Sequence, residues 1–422
     1  LKTILILYPH FPPSNLAGVH RARLFAQHLP SFGWNPIVLT VHEKYYEEAL
    51  DHDLEKLLPA GLRIEKTAAF SIGSFRIIGD IGLRAFYQLY QKAKQLIQSE
   101  NIDFLYIPIP SFYCALLGRW LHHSTKVKYG IDYIDPWVHR FPGSNKIFSR
   151  HWFSTKLALW LEPVAVKHAS LITGVAEGYY QGVKERNPHL VKRAIFGAMP
   201  YGGEGEDHNA VQQLTNRSFL FEKNRSKIQL VYAGAMLPKA FEILELIARS
   251  ISNNKEMFQD IEFHFIGTGR VQAGKVIYSI KPIAEKYGLW KNVIFEYPDR
   301  IAYLDVLAHL NNATGVFILG STEAHYTPSK TYQAVLAQKP ILAVLHKESS
   351  AIRVLKQSGA GLVLTFDGES DLNSIEDKFT SYVIEFLIFE KKFIISKINY
   401  QLFESYSAKS VTRVLAALLN KV

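Results

Sequence analysis

"TILILYPHFPPSNLAGVHRARLFAQHLPSFGWNPIVLT", Thr3 to Thr40, opens on a short apolar run and passes through a loop rich in Pro. It then spaces its apolar residues as a helix does and closes on a second apolar run, "NPIVLT". This is a strand–loop–helix–strand unit. The strands are continuously apolar, not alternating, which argues for a parallel sheet covered on both faces. The pattern continues through "IDFLYIPIP", a helix over "FYCALLGRWLHHS", "KVKYGIDYI" and "ASLITGVAE". A polar, Gly-rich break follows, from Tyr201 to Ser226. Then a second set begins with "KIQLVYAG", a helix from Phe241 and "IEFHFIGTG". It continues with a helix through "VIYSIKPIAEKYG", "NVIFEY", a helix over "IAYLDVLAHLNNA", "TGVFILG", a helix over "KTYQAVLAQ", "PILAVL", a helix over "SAIRVLKQSG", and "AGLVLTF". Strands alternating with helices predict doubly wound α/β domains, whose ligands bind at the carboxyl ends of the strands. The expected division is a Rossmann-like domain over 1–205, a linker over 206–226 and a second Rossmann-like domain over 227–395. A helical segment over 396–422, including "YSAKSVTRVLAALLNKV", is expected to pack back on the first domain.

The chain has 422 residues, 48% of them hydrophobic, enough for more than one core. A net charge of +10 favours anionic partners, although it also suits an ordinary basic soluble enzyme. The single cysteine, Cys114, excludes an internal disulfide and reads as a small packed hydrophobe. The apolar run near Leu1 is too short for a signal-peptide core, and no stretch offers the ~18 apolar residues of a membrane span. Asp51 and Asp53 in "DHD" lie in a polar, helix-like region and read as surface. No Cys/His spacing suggests a metal site.

Charge is uneven along the chain. Residues 101–200 carry twelve Lys/Arg against six Asp/Glu, whereas residues 1–100 carry eleven against nine. The excess centres on "WVHRFPGSNKIFSRHWFSTKLALW", Trp137 to Trp160, which holds Arg140, Lys146, Arg150 and Lys156 and no acid. Trp152, Phe141, Phe148 and Phe153 are interleaved. Basic and aromatic residues together suit an anionic membrane surface, with Arg150 and Trp152 as its markers. The same composition suits base stacking or a partly buried helix with a solvated basic face.

The order of these pieces resembles the GT-B fold of family 4 glycosyltransferases over essentially the whole chain. The resemblance rests on the opening unit, on "IDYIDPW", on "ASLITGVAEGYYQGVKERNP", on "LVYAGAML" and on "TPSKTYQAVLAQKPILAV". The last is similar to the Pro-Ser-Lys donor element of one branch of the family, the branch that also carries Asp-Pro-Trp. The fold it implies is α/β: two doubly wound Rossmann-like domains facing a central cleft, with the acceptor side on the first and the nucleotide sugar on the second.

In that frame Thr327, Ser329 and Lys330 open a helix whose free N–H groups can receive a diphosphate. Ser329 can cap that helix or donate to phosphate, and Lys330 supplies a cation. An ordinary Ser cap beside a surface Lys has the same sequence. Gly234 lets backbone approach a ligand, and Lys239 can reach a phosphate; Ala235 stands where many relatives carry Arg. Gly267 marks a turn after its strand. Pro298, Arg300 and Tyr303 are expected near the base, with Asp299 as a cap. Many relatives carry Glu-x7-Glu here, whereas this chain reads His325-x7-Gln333. Gln333 keeps an amide oxygen for a ribose hydroxyl, and His325 can bond a sugar or phosphate; Glu323 is out of register.

On the acceptor side, Asp132 and Asp135 end a strand and are the catalytic candidates. Ile134 stands where many relatives have His, and His139 is close by. Gly18 and Arg21, in the first loop with His10, are candidates for an acceptor or phosphate contact. The resemblance implies transfer with retention and without metal, the leaving diphosphate being stabilised by backbone dipoles and lysines. The expected partners are a nucleotide-sugar donor and a saccharide or lipid-linked acceptor, with no cofactor and no nucleic acid. The expected setting is envelope or exopolysaccharide assembly, in the cytoplasm with peripheral contact on the inner face of the cell membrane. The altered acids keep open a non-catalytic scaffold or a sugar-nucleotide epimerase of the same fold.

Overall fold

Apolar runs with no polar face suit a parallel sheet covered on both faces, and the computed structural model places them in two such sheets. It describes residues 1–71, 80–138, 146–213, 217–272 and 275–422; His139, Arg140 and Phe141 lie outside the described residues. The chain divides into a first unit, Leu1–Tyr201 with Ala408–Val422, and a second unit, Gly202–Ser407.

The first unit is built on β1 (Lys2–Leu7), β2 (Trp34–Val41), β3 (Arg63–Thr67), β4 (Phe104–Ile109), β5 (Lys128–Tyr133), β6 (Leu171–Gly174) and β7 (Ile195–Ala198). Their order is β3-β2-β1-β4-β5-β6-β7, and every pairing is parallel. Leu5 pairs with Ile37 on one side and with Leu105 on the other. One face buries Leu5, Leu39, Leu105 and Cys114; the other buries Ile4, Ile6, Phe25 and Tyr106. The helix Ala408–Leu419 closes that second face, where Val411, Leu415 and Leu419 join Phe25, Leu29 and Trp34.

The second unit holds β8 (Ile228–Ala233), β9 (Ile261–Ile266), β10 (Arg270–Gln272), β11 (Lys275–Ile277), β12 (Ile294–Tyr297), β13 (Gly315–Leu319), β14 (Ile341–His346) and β15 (Gly361–Phe366). Its sheet runs β12-β9-β8-β13-β14-β15, again all parallel. β10 and β11 form a separate antiparallel hairpin. That hairpin takes the start of the helix expected over "VIYSIKPIAEKYG", which is confined to Lys281–Lys286.

The stretch read as a linker is folded. Residues Gly205–Gln213 form a helix, and the segment after 216 is fastened to the helix Tyr303–Asn312. Arg217 pairs with Asp305, and the Phe219 and Phe221 rings lie 5.2 and 5.7 Å from His309. His309 donates from Nδ1 to the Asp305 carbonyl (2.7 Å), while its Nε2 accepts from the Leu220 amide (2.9 Å). A ring used in this way has to stay neutral. Residues 396–407 belong to the second unit, where the Asn399 amide donates to Ser358 O and the Gly203 amide to Tyr406 O.

Burial lowers the His309 pKa despite the Asp305 hydrogen bond. Its contribution is therefore present above the unfolded value of about 6.5 and is lost as pH falls below it. Limited proteolysis at pH 5 is expected to cut within 217–225 faster than at pH 7.5. His309→Ala is expected to make the site equally susceptible at both values; a cleavage rate independent of pH in the wild type would contradict this.

Candidate functional site

In the second sheet the strand order reverses between β8 and β13, and the crevice beyond their carboxyl ends is where such sheets bind ligands. Gly234 follows β8 with φ +104°, a backbone that side chains other than glycine's rarely tolerate. Gly267 follows β9, and a Cβ built there would stand 3.9 Å from the Gly234 Cα and from the Arg300 Cα. These turns touch because their parents β8 and β9 are neighbours.

Lys330 opens the helix Lys330–Leu336 and reaches across to β8. Its Nζ lies 3.6 Å from the Tyr232 ring centroid and 3.6 Å from the place a Gly234 Cβ would occupy. The stem is half-buried, but Nζ is covered and has no hydrogen-bond partner among the described residues. Loss of water pushes its pKa down to about 7. The ring face returns part of the lost solvation, since ammonium over an aromatic face is attracted to it. A buried cation without a carboxylate is an arrangement completed by an anion.

The other donor-side candidates divide. Arg300 is exposed at this edge, and His325 and Lys239 are half-buried on the loops after β13 and β8. Thr327 is buried, and its hydroxyl is 2.7 Å from Ser350 Oγ, so it fastens the loop to the next helix. Ser329 occupies the cap position but makes no side-chain cap bond, which leaves the phosphate-donor alternative. The helix behind it has only seven residues, so Lys330 rather than a helix dipole supplies the positive charge. Asp299 is exposed and does not cap; the next helix begins at Tyr303 with Ala302 in the cap position.

Gln333 is not available to a ribose in this arrangement. Its amide nitrogen donates to Tyr303 OH (2.8 Å), which donates to Asp207 Oδ2 (2.9 Å). Its Oε1 is 3.0 Å from His208 Nε2, and His208 Nδ1 meets the Asn311 side chain at 3.0 Å. Burial lowers the His208 pKa, so the ring is neutral and carries one N–H. Donation to Tyr303 fixes the Gln333 orientation, so Nε2–H donates to its oxygen and Asn311 must turn its amide nitrogen to Nδ1. His208 and Asp207 come from the stretch read as a linker, where sequence offered no reason to place them, and Tyr303 and Asn311 from the helix Tyr303–Asn312.

A second unpredicted residue is Glu296 on β12, which is buried. It accepts from Thr268 Oγ1 (2.9 Å) and from the amides of Ser279, Ile280 and Lys281 (2.8–2.9 Å). One carboxylate thus holds the turn after Gly267 and starts the helix Lys281–Lys286.

The carboxyl edge of the first sheet corrects two expectations. Asp132 and Arg21 are both fully buried and bound to each other, Nε to Oδ2 at 2.5 Å and Nη2 to Oδ1 at 3.0 Å. Arg21 Nη1 donates to Pro200 O (2.9 Å), and Thr173 donates to Asp132 Oδ1 (2.7 Å). Neither residue can serve a substrate; they lock the first helix to β5 and to the segment at Pro200 that follows β7. Gly18 lies in that helix, Ala17–His28, and a Cβ there would stand 2.3 Å from the Tyr8 hydroxyl, so its smallness serves packing. Asp135, by contrast, is exposed just beyond β5, and its charge reaches Tyr8. Asp51 is buried rather than on the surface and accepts from the Asp53 amide (3.2 Å).

His10 and Glu48 form a pair at the same edge, Nδ1 to Oε1 at 2.8 Å, and Ser14 Oγ donates to the same oxygen. Burial pushes the Glu48 carboxyl up, but the His10 and Ser14 bonds outweigh it and hold it below the usual range. An ionised Glu48 keeps the proton on Nδ1, so a neutral His10 offers the Nε2 lone pair. Arg150 and Trp152 lie elsewhere in the first unit, at the start of the helix Arg150–Val166.

No family model matches the sequence, and no curated protein does. Among solved structures the chain is similar to Anabaena HepE in complex with UDP and glucose, at 12% identity and a TM-score of 0.64, with all of both chains covered. It is similar to a glycosyltransferase from Rickettsia africae at 15% identity and 0.62, covering 100% of this chain and 98% of that one. It is also similar to sucrose-phosphate synthase from Thermosynechococcus elongatus at 11% and 0.65, covering 100% and 99%. At such identities the likeness is one of fold, and the two parallel sheets of this chain, of seven and six strands, have the GT-B fold.

Proposed function

We propose that the protein transfers a sugar from a nucleoside-diphosphate sugar to a hydroxyl of a saccharide or lipid-linked acceptor. The observation that carries this is the covered Lys330 ammonium, unpaired at the β8/β13 reversal. The fold likeness supports it, and one of the similar proteins, HepE, has been solved with UDP-glucose. The donor diphosphate lies against Lys330, Ser329 and the Gly234 turn, with Arg300 and the Gly267 turn towards the nucleoside and Lys239 on the phosphate side. The Lys330 cation, whose Nζ is covered, meets the charge that grows on the diphosphate as the glycosidic bond breaks. Transfer with retention and without metal, in envelope or exopolysaccharide assembly, follows the family 4 resemblance. On the first unit, the exposed Asp135 and the Glu48-bound His10 are the groups proposed to position an acceptor hydroxyl.

A second reading, a scaffold that holds a nucleotide without transferring sugar, is favoured by one observation: Gln333 is committed to His208 and Tyr303. Nucleotide binding without turnover under any acceptor would favour it. Turnover of the donor without an acceptor would favour an epimerase.

Lys330→Met removes a buried charge that the unliganded fold does not pair. It is expected to raise the melting temperature by ~3 °C, the equivalent of about 1 kcal/mol in a domain of this size. The same substitution is expected to weaken UDP, GDP or TDP-sugar binding roughly 10–100-fold, the worth of a charge-assisted hydrogen bond. Because a bound dianion favours protonated Lys330, binding takes up a proton above pH 7 and affinity falls as pH rises further. Calorimetry in two buffers measures that uptake, and a pH-independent affinity would place the diphosphate elsewhere.

Asp132→Ala leaves Arg21 buried and unpaired, a loss of about 3–5 kcal/mol. It is expected to lower the melting temperature by ~10 °C. Asp135→Asn is exposed and is expected to leave melting within ~1 °C while lowering transfer, with donor affinity unchanged. Equal destabilisation by both substitutions would contradict the assignment.

A further inference from the structure

The helix Arg150–Val166 is apolar on two opposite sides. Ala158, Glu162, Ala165 and Val166 face inward, and Glu162 is neutralised by Arg186 at 2.8 and 3.0 Å. Phe153, Lys156, Leu157 and Trp160 fall at i, i+3, i+4 and i+7 and so share the face turned away from the core. Phe153 is 55% and Trp160 70% exposed. Just before the helix, Ile147 is 68% and Phe148 77% exposed. Phe148, Trp152 and Phe153 cluster with ring centroids 5.0–6.2 Å apart. Contiguous exposed apolar surface of this kind marks an interaction face.

We infer that this face docks on an anionic lipid bilayer surface. From Lys146 to Leu161 the chain has three cations, Lys146, Arg150 and Lys156, and no acid. Lys156 stands in the middle of the apolar stripe, where a protein interface would be depleted of lysine. At a bilayer, Phe and Trp enter the headgroup boundary while Lys and Arg remain with the phosphates. The structure also changes which aromatic residues matter. Trp152 is half-buried under Lys156, whose Nζ lies 5.7 Å from its ring, so Phe148, Phe153 and Trp160 make the insertion. No helix among the described residues is long and apolar enough to cross a membrane, so the contact is peripheral.

Docking needs neither donor nor turnover, so this inference and the proposed sugar transfer fail separately. The test is co-sedimentation of the full chain with phosphatidylcholine vesicles, with and without phosphatidylglycerol. The wild type is expected to bind the anionic vesicles roughly tenfold or more tightly than the neutral ones. It is expected to release as salt rises from about 0.1 M to about 0.5 M. The double substitution Phe153→Ser with Trp160→Ser, and separately Lys156→Glu, is expected to lower binding to anionic vesicles by roughly tenfold. Melting should be unchanged, because these side chains are exposed. Wild-type protein left in the supernatant, or variants that bind like the wild type, would overturn the inference. Concentration-dependent dimerisation abolished by the same substitutions, or oligonucleotide binding without vesicle binding, would also overturn it.

Discussion

Parallel pairing is the constraint on which the rest hangs. When every strand of a sheet runs the same way, all carboxyl ends meet one edge, and each return path must cross a face as a helix or long loop. In the second unit this brings the turns after β8 and β9 and the loop after β13 to a single place. Gly234, Gly267 and Lys330 are far apart in the chain and meet because the strand order reverses there. In the first unit the same constraint gathers Tyr8, His10, Glu48 and Asp135 at one edge, and the Arg21–Asp132 pair pins the opening helix to that edge.

Two buried charges are treated in opposite ways. Arg21 and Asp132 are buried together, with all three guanidinium nitrogens and both carboxylate oxygens bonded, so the pair serves the fold. Lys330 is covered with only a ring face to offset it, so the fold is less stable for keeping it. Stability given up at one residue is the usual mark of a site shaped for something other than folding. Asp132 and Asp135 show how close the two cases lie: three positions apart on one strand end, one is sealed and the other open.

Central strands were legible in the sequence because burial on both faces forces an unbroken apolar run. β3 and β7 were not, since an edge strand such as "RIEKT" can keep polar residues and still pair. The β10–β11 hairpin was hidden for a similar reason: its residues carry no continuous apolar signal. At the site, Gly234, Gly267 and Lys330 were legible because each follows a recognisable strand. Asp132 was misread because its partner is 111 residues away. Gln333 was misread because His208 lies in a stretch whose polarity suggested a linker. Local pattern reports which residues end a strand; it does not report what the rest of the chain brings against them.

The return of Ala408–Leu419 to the first unit gives the chain an order of completion. Val411, Leu415 and Leu419 cover Phe25, Leu29 and Trp34, residues made nearly 400 positions earlier. The second unit closes on itself where the Gly203 amide bonds Tyr406 O, so Ala408–Leu419 is made only after the whole of that unit. The first unit emerges first and is finished last. Until Ala408–Leu419 has been made, the helix Ala17–His28 stands uncovered on one side, so that surface of the nascent chain needs protection until then.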